Sequence, residues 1–258
     1  MPDTRRHRGR HPDDARLFSE RTLPSLRAAL DDLSLLATRG YAEASALKLV
    51  GDRYGLTERQ RMAVRRSACS DQALAGRRGQ MVPADALAGE PVAIDGYNLL
   101  ITIESALSGG LILVGRDGCL RDLASLHGTY RTVEETLPAA RLIGEHLHAM
   151  RPAGIDWYLD APVSNSGRLR ALLLEESARN GWDWSITLDN NPDRVLAASP
   201  AVAVSSDSWV IDHAGRWTNL ADALLRERLP GAEIVRMGDD LRQCERPVQT
   251  DGSLPKCL

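Results

Sequence analysis

The sequence predicts an α/β protein: a mainly parallel sheet flanked by helices, preceded by a small all-helical N-terminal domain. Three observations predict it. Beyond residue 90, short apolar runs of strand length alternate with segments of helical periodicity. Three of those runs lead into an aspartate, at Asp95, at Asp160 and, after Ser205-Ser206, at Asp207. Before residue 80, leucines recur at helical spacing instead.

Taken in order, residues 1–14 read as a disordered basic arm, with Arg5, Arg6, Arg8 and Arg10 set among His, Gly and Pro. Leu17, Leu23, Leu26, Leu30, Leu33 and Leu36 suit a helix that stops at Gly40. A second helix is expected over 42–54, ahead of Gly55. Thr57 and Gln60 have the spacing of a capping box, which opens a third helix to about residue 68. The outline is similar to a helix-turn-helix. Gly76, Gly79 and Pro83 mark a linker running to Gly89. These signals divide the chain into a helical domain at 15–80, an α/β domain at 90–245 and a tail at 246–258.

In the second domain, strands are expected at 92–94, 111–114, 155–159, 182–188, 201–204 and 233–235. Helices are expected at 98–107, from the Thr132/Glu135 capping box to 150, at 165–180 with Gly181 as its stop, and at 217–229. The turn Gly115-Arg116-Asp117-Gly118 makes 109–118 look like an added hairpin.

Composition narrows the class. The chain has 258 residues, 43% hydrophobic and 26% charged, ordinary values for a globular protein able to bury a core. No apolar run approaches the roughly 20 residues of a bilayer span, and the basic N-terminus lacks a signal-peptide core, so the expectation is cytoplasmic, with no membrane partner. Cys69, Cys119, Cys244 and Cys257 form no C-x-x-C pair and are expected as reduced thiols. Residues 1–80 carry 16 Lys/Arg against 10 Asp/Glu, and residues 81–258 carry 16 against 25. A basic module joined to an acidic one suits a nucleic-acid enzyme, one part gripping phosphates and the other holding metal.

The carboxyl ends of parallel strands share one edge of a sheet, and ligands bind just outside it. Asp95, Asp160 and Asp207 would therefore converge, and like charges that close repel unless a cation lies between them. Mg²⁺ or Mn²⁺ is the expected cation, and metal-assisted phosphodiester hydrolysis the expected chemistry. Asp117, Asp212 and Glu104 are further candidates, with ordinary readings as a turn residue, a hairpin residue and a solvated helical side chain.

Arg61 and Arg65 share one helix face and Arg59 and Arg66 another, either as phosphate contacts or as solvated surface. Asn165, Ser166 and Gly167 open a helix whose backbone N–H groups would cradle phosphate, with Arg168 and Arg170 in its first turn. His146 and His148 read as surface residues, and the tryptophans as sheet packing. No G-x-S-x-G, H-E-x-x-H, dinucleotide or P-loop motif is present.

Ile94-Asp95-Gly96-Tyr97-Asn98 at the end of the first strand resembles the opening motif of the NYN branch of the PIN-like nucleases. Ser205-Ser206-Asp207 looks like the S/T-x-D element of that superfamily, and Asp160 sits where it often places an acid. More specifically, the chain from about 15 to 237 resembles a prokaryotic family that joins a helical DUF434 domain to a PIN-like DUF5616 domain. The runs Gly115–Gly118, Leu159–Gly167 and Ser205–Trp209 prompt this. The resemblance implies a PIN-like fold, Asn98 helping Asp95, Asp160 and Asp207 to hold Mg²⁺ or Mn²⁺, and an RNA-cleaving activity. Departures are the added hairpin and the lack of an unambiguous acid on the second helix. Two alternatives follow: a non-catalytic RNA- or ribonucleoprotein-binding module, and a phosphatase acting on small phosphomonoesters.

Overall fold

The computed structural model describes residues 9–124 and 130–238. The N-terminal region contains α1 (Asp14–Leu17), α2 (Leu23–Thr38), α3 (Glu43–Arg53), α4 (Glu58–Ser67) and α5 (Asp71–Gln80). The capping box at Thr57 forms on both sides, its hydroxyl accepting from the Gln60 N–H and its own N–H donating to Gln60 Oε1. Leu26, Ala29, Leu30 and Leu33 give α2 a buried stripe, packed on Ala46 and Val50 of α3 and on Ala63 and Val64 of α4.

Two expectations fail here. The segment expected as a linker holds α5, started by Ser70, whose Oγ accepts from the Ala73 N–H at 3.1 Å. Gly76 and Gly79 concealed this helix by lowering its propensity. Asp14, assigned to the disordered arm, begins α1 and is buried, with Arg59 Nη2 on its Oδ2 at 2.8 Å. Residues 1–8 of that arm, the tail at 246–258, and Cys244 and Cys257 lie outside the described residues. Cys69 and Cys119 are buried free thiols.

Then come β1 (Pro91–Asp95), α6 (Gly96–Leu107), β2 (Ile112–Val114), β3 (Leu120–Asp122), α7 (Thr136–Met150), β4 (Gly154–Asp160) and α8 (Ser166–Asn180). β5 (Trp184–Asp189), α9 (Pro192–Ala198), β6 (Val202–Val204), α10 (Ser208–His213), β7 (Trp217–Thr218), α11 (Leu220–Arg228) and β8 (Ile234–Arg236) complete the order. The main sheet is parallel throughout, in the order β5-β4-β1-β6-β7. Its strands alternate with helices, as their apolar runs require. Among the described residues no helix is long and apolar enough to cross a membrane.

The hairpin of β2 and β3 does not extend that sheet. It pairs with β8 in a second, three-stranded sheet, which removes the last expected strand from the main one. Side-chain alternation explains its place. Ile112, Val114 and Leu120 enter the core of the main sheet, whereas Leu111, Leu113 and Val235 enter the core of the N-terminal helices. The hairpin is thus a wall shared by two cores.

Other differences are local. α7 begins at Thr136, not at the Thr132 box, because Thr136 Oγ1 accepts from the Val133 N–H and closes the preceding turn. The stretch expected as a hairpin around Asp212 is α10, and Trp217-Thr218 pairs with β6 before α11 starts.

A buried ion cluster fastens these parts together. Asp117 lies in the hairpin turn, 2% exposed, where Arg121 grips it with two bonds of 2.8 and 2.7 Å. Arg77 of α5 reaches the same carboxylate and also binds Asp212 of α10 at 2.6 and 2.9 Å. Burial alone would raise the Asp117 pKa; the two guanidiniums overcome that and hold it well below the usual carboxylate range. Asp117→Ala would leave two buried guanidiniums short of charge and is expected to destabilise the protein by about 3–5 kcal/mol in urea unfolding. Arg77→Met, which leaves the Arg121–Asp117 pair intact, is expected to cost less.

Candidate functional site

Asp95 ends β1 and caps α6, its Oδ1 accepting from the Asn98 N–H at 3.3 Å. Gly96 is required by a close approach: a Cβ there would meet Leu159 Cδ2 at 2.5 Å and the Tyr158 carbonyl at 2.9 Å, both on neighbouring β4. The Asp95 Oδ2 accepts from Ser205 Oγ at 2.7 Å, and Ser205 Oγ in turn accepts from the Asp207 N–H at 2.9 Å. Asn98 Oδ1 accepts from both the Ser206 N–H and Ser206 Oγ, at 2.8 and 2.9 Å. The D-G-Y-N and S-S-D motifs are therefore tied to each other by two side-chain bonds and one backbone N–H, across the parallel pairing of β1 with β6.

Asp95, Asp160 and Asp207 line one cleft of about 470 Å³, as the shared sheet edge predicts. Asp207 also caps α10, its Oδ1 accepting from Trp209 and Val210 N–H groups. Three carboxylates that the sequence did not single out also line the cleft: Glu43 at the start of α3, Asp122 at the end of β3, and Asp193 in the first turn of α9. Asn191-Pro192, an N-cap followed by proline at the first helical position, was the available signal for that helix.

Asp193 is what joins the set. Burial raises its pKa first, and the charges of Asp207 and Asp160 raise it further. The Asp95 carboxyl is pushed up to about 7 from an ordinary 3.8, chiefly by burial. The Ser205 hydrogen bond lowers it, and the Asp207 and Asp193 charges raise it. Asp160, also raised by burial, is half-buried and joins the others through Asp193. Register explains its outlying position: Tyr158, not Asp160, lies beside Asp95.

Arginines line the cleft as well, two of them beside acids that also line it: Glu43 near Arg65 and Asp122 near Arg66. Arg66 is held by the Asp122 and Ala124 carbonyls, and Arg65, exposed, has Glu43 at 3.6 Å. Both line the cleft, as does Arg121, whose Nε donates to the Ser206 carbonyl at 2.9 Å.

Several candidates lie elsewhere. Arg61 does not reach the cleft; its guanidinium packs over Gly51, bonded to Leu56 O and Asp52. Glu104 is fully buried rather than solvated, accepting from Tyr130 and Thr136 hydroxyls. Asp117 and Asp212 belong to the ion cluster. Asn165, Ser166 and Arg168 do not line the cleft; Asn165 Nδ2 donates to Tyr130 O and Ser166 Oγ to Ala161 O. His146, read as a surface residue, is 3% exposed.

Among the described residues, no three His, Cys, Asp or Glu side chains form a group that could hold a metal ion by themselves. The donors are nevertheless hard carboxylate oxygens carrying uncompensated charge. Mg²⁺ is commonly held by one or two carboxylates, with waters and substrate phosphate oxygens completing its shell. The residues fit an ion of that kind and not a closed protein cage.

Fold and site together define an α/β domain with an acidic cleft at the carboxyl edge of its sheet. Residues 84–223, more than half of the chain, match the family model described as a domain of unknown function (DUF5616), and the chain belongs to that family. Residues 25–80 match the protein of unknown function model DUF434. The chain is similar to uncharacterized protein MJ0935 of Methanocaldococcus jannaschii, 29% identical over 187 residues, covering 72% of this chain and 89% of that protein. No solved structure matches.

The Asp95 carboxyl has a stability signature. With its folded pKa near 7 and an ordinary value of 3.8, stability falls as pH rises through that window and stays lowered above it. Without added metal, Asp95→Asn is expected to raise the melting temperature by an amount that grows from pH 4 to 7. The corresponding gain in unfolding free energy then levels off at no more than about 4 kcal/mol. Thermal scans in chelator across that pH range check it.

Proposed function

We propose that the cleft is the active centre of a metal-dependent ribonuclease of PIN/NYN type, hydrolysing RNA phosphodiester bonds. One observation carries this reading: Asp95, Asp193 and Asp207 are electrostatically coupled in a cleft that Arg65 and Arg66 also line. A phosphodiester needs both halves, cations for its own charge and carboxylates to hold Mg²⁺ or Mn²⁺. One or two of Asp95, Asp193 and Asp207 would hold the ion, with Asp160 at the margin and waters and phosphate oxygens completing the shell; bound there, it would lower the pKa of water and stabilise the leaving oxygen.

The chain's own residues do the positioning. Ser205 and the Asn98 N–H fix the Asp95 carboxylate, and Asn98 Oδ1 fixes the Ser206 turn that carries Asp207. Arg66, locked by two carbonyls, offers a guanidinium with little rotamer freedom left to lose. Trp209 follows cleft-lining Ser208, is 43% exposed, and stacks on His213 at 4.3 Å, which suits an unpaired base. A second reading, RNA binding without cleavage, is favoured by the lack of a three-residue metal group among the described residues.

Cleavage of labelled RNA oligonucleotides with Mn²⁺, set beside chelator and a phosphomonoester, tests the proposal. Metal-dependent RNA cleavage is expected, and Asp193→Asn or Asp207→Asn should lower it at least about a hundredfold while folding is kept. Unchanged RNA in every reaction would leave the binding reading, and phosphomonoester turnover alone would indicate a phosphatase. Arg65→Ala is expected to weaken binding of single-stranded RNA and to lower the slope of log affinity against log salt by about 0.7. Affinity titrations at three salt concentrations measure that.

A further inference from the structure

Asp207 and Ser208 line the acidic cleft, and the next residue of α10 is Trp209. The chain's other tryptophans are used in packing: Trp157, Trp184 and Trp217 are buried, and Trp182 stacks on Trp184 at 5.0 Å. Trp209 is instead 43% exposed. A single exposed apolar side chain is ordinary on a protein surface, so exposure by itself decides nothing. What sets Trp209 apart is how it is held, and beside what.

One face of its ring lies on the imidazole of His213, one helical turn on, with centroids 4.3 Å apart and planes 21° from parallel. His213 Nδ1 is 2.7 Å from the Trp209 carbonyl, which can only accept, so the ring proton sits on Nδ1 and the imidazole is fixed against the indole. Val210 and Ile211 of the same helix are fully buried and anchor it. The Trp209 N–H donates to Asp207 Oδ1 at 2.8 Å, which sets the indole one side chain's reach from a cleft carboxylate. Asp207 takes the Val210 N–H as well, so this corner offers ring surface and no backbone donors for an anion. With His213 on one face, the exposure that remains belongs to the opposite face and the edges. A base needs such a surface: flat, apolar and set in orientation before anything binds.

A base within a duplex has both faces covered by its neighbours and its edge paired, so only an unpaired nucleotide can lay its ring on the indole. We propose that Trp209, backed by His213, is a stacking subsite that holds one unpaired base beside the cleft and thereby selects single-stranded over duplex RNA. The proposal rests on reading the cleft as an RNA site, and it adds which RNA that site takes.

Affinity titrations of the full chain in chelator test this with three probes of about 12 nucleotides: single-stranded RNA, the same strand made abasic, and an RNA duplex. The first two carry the same charge and differ only in their bases. Wild type is expected to bind the single strand about five- to a hundredfold more tightly than the abasic strand. Trp209→Ala should narrow that gap at least about fivefold and leave duplex affinity unchanged, and Trp209→Phe, which keeps a ring, should retain most of it. Equal wild-type affinity for the first two probes, no measurable binding of the single strand, or one common loss for all three probes in folded Trp209→Ala overturns the proposal. Single-stranded RNA should also quench the wild-type tryptophan emission, and Trp209→Phe should abolish that quench. Should Trp209→Ala fail to fold, the emission decides, and a quench that persists in Trp209→Phe overturns the proposal. Failure of the nuclease reading shows separately. Base-dependent binding lost in Trp209→Ala, with no RNA cut under Mn²⁺, keeps the stacking subsite and removes the nuclease. Equal rates of Mn²⁺-dependent cleavage of single strand and duplex keep the nuclease and overturn the subsite.

Discussion

The buried carboxylate of Asp117, gripped between Arg121 and Arg77, is the interaction on which the rest of this structure turns. Three buried or nearly buried charges in one place would be strongly unfavourable if any lacked its partner. Here each is satisfied by a different part of the chain. Asp117 Oδ1 also accepts from the Cys119 N–H, which shapes the hairpin turn. Arg77 brings α5, and with it Asp212 of α10. Arg121 spends its remaining Nε on the Ser206 carbonyl, beside Asp207. The placement of the acidic cleft and the docking of the helical region therefore rest on the same charges.

That dependence alters the domain picture drawn from the sequence. Gly76, Gly79 and Pro83 look like a linker between independent units, yet the hairpin alternates its side chains between two cores. Leu113 serves the helical core and Ile112 the sheet core, one residue apart. Neither half can bury its share of the hairpin without the other. A two-residue period reports that a strand has two faces; it does not report that both faces are covered, or by what.

The legible part of the site was the part written in local chemistry. Asp95, Asp160 and Asp207 follow apolar strands, and parallel strands deliver their ends to one edge, so the cleft could be foreseen. Asp193 could not be reached that way, because it sits on a short helix whose Asn191-Pro192 start passes for a loop. Fates of the arginines were also hidden. Helical spacing puts Arg61 and Arg65 on one face, but Arg61 folds back over Gly51, the one place on α3 without a side chain to block it. Glu104 is the reverse case: a charge expected in water is buried because Tyr130 and Thr136, distant in sequence, both donate to it.

Charge asymmetry between the two ends of the chain deserves a different interpretation from the one composition invites. Part of the basic excess before residue 80 is not displayed as a patch. Arg59 is bound to Asp14, Arg61 to Asp52 and Arg77 to Asp117 and Asp212, so these cations organise the fold. Arg65 and Arg66 alone among these line the cleft. The acidic excess behaves otherwise: Asp95 and Asp193 have raised pKa values, with burial and neighbouring carboxylates both acting in that direction. Uncompensated carboxylates concentrated in one cleft cost stability, and such a cost is commonly associated with sites that act on something else. A cation would relieve it, and in the proposed reading a phosphate on that cation would also meet the arginines that line the cleft.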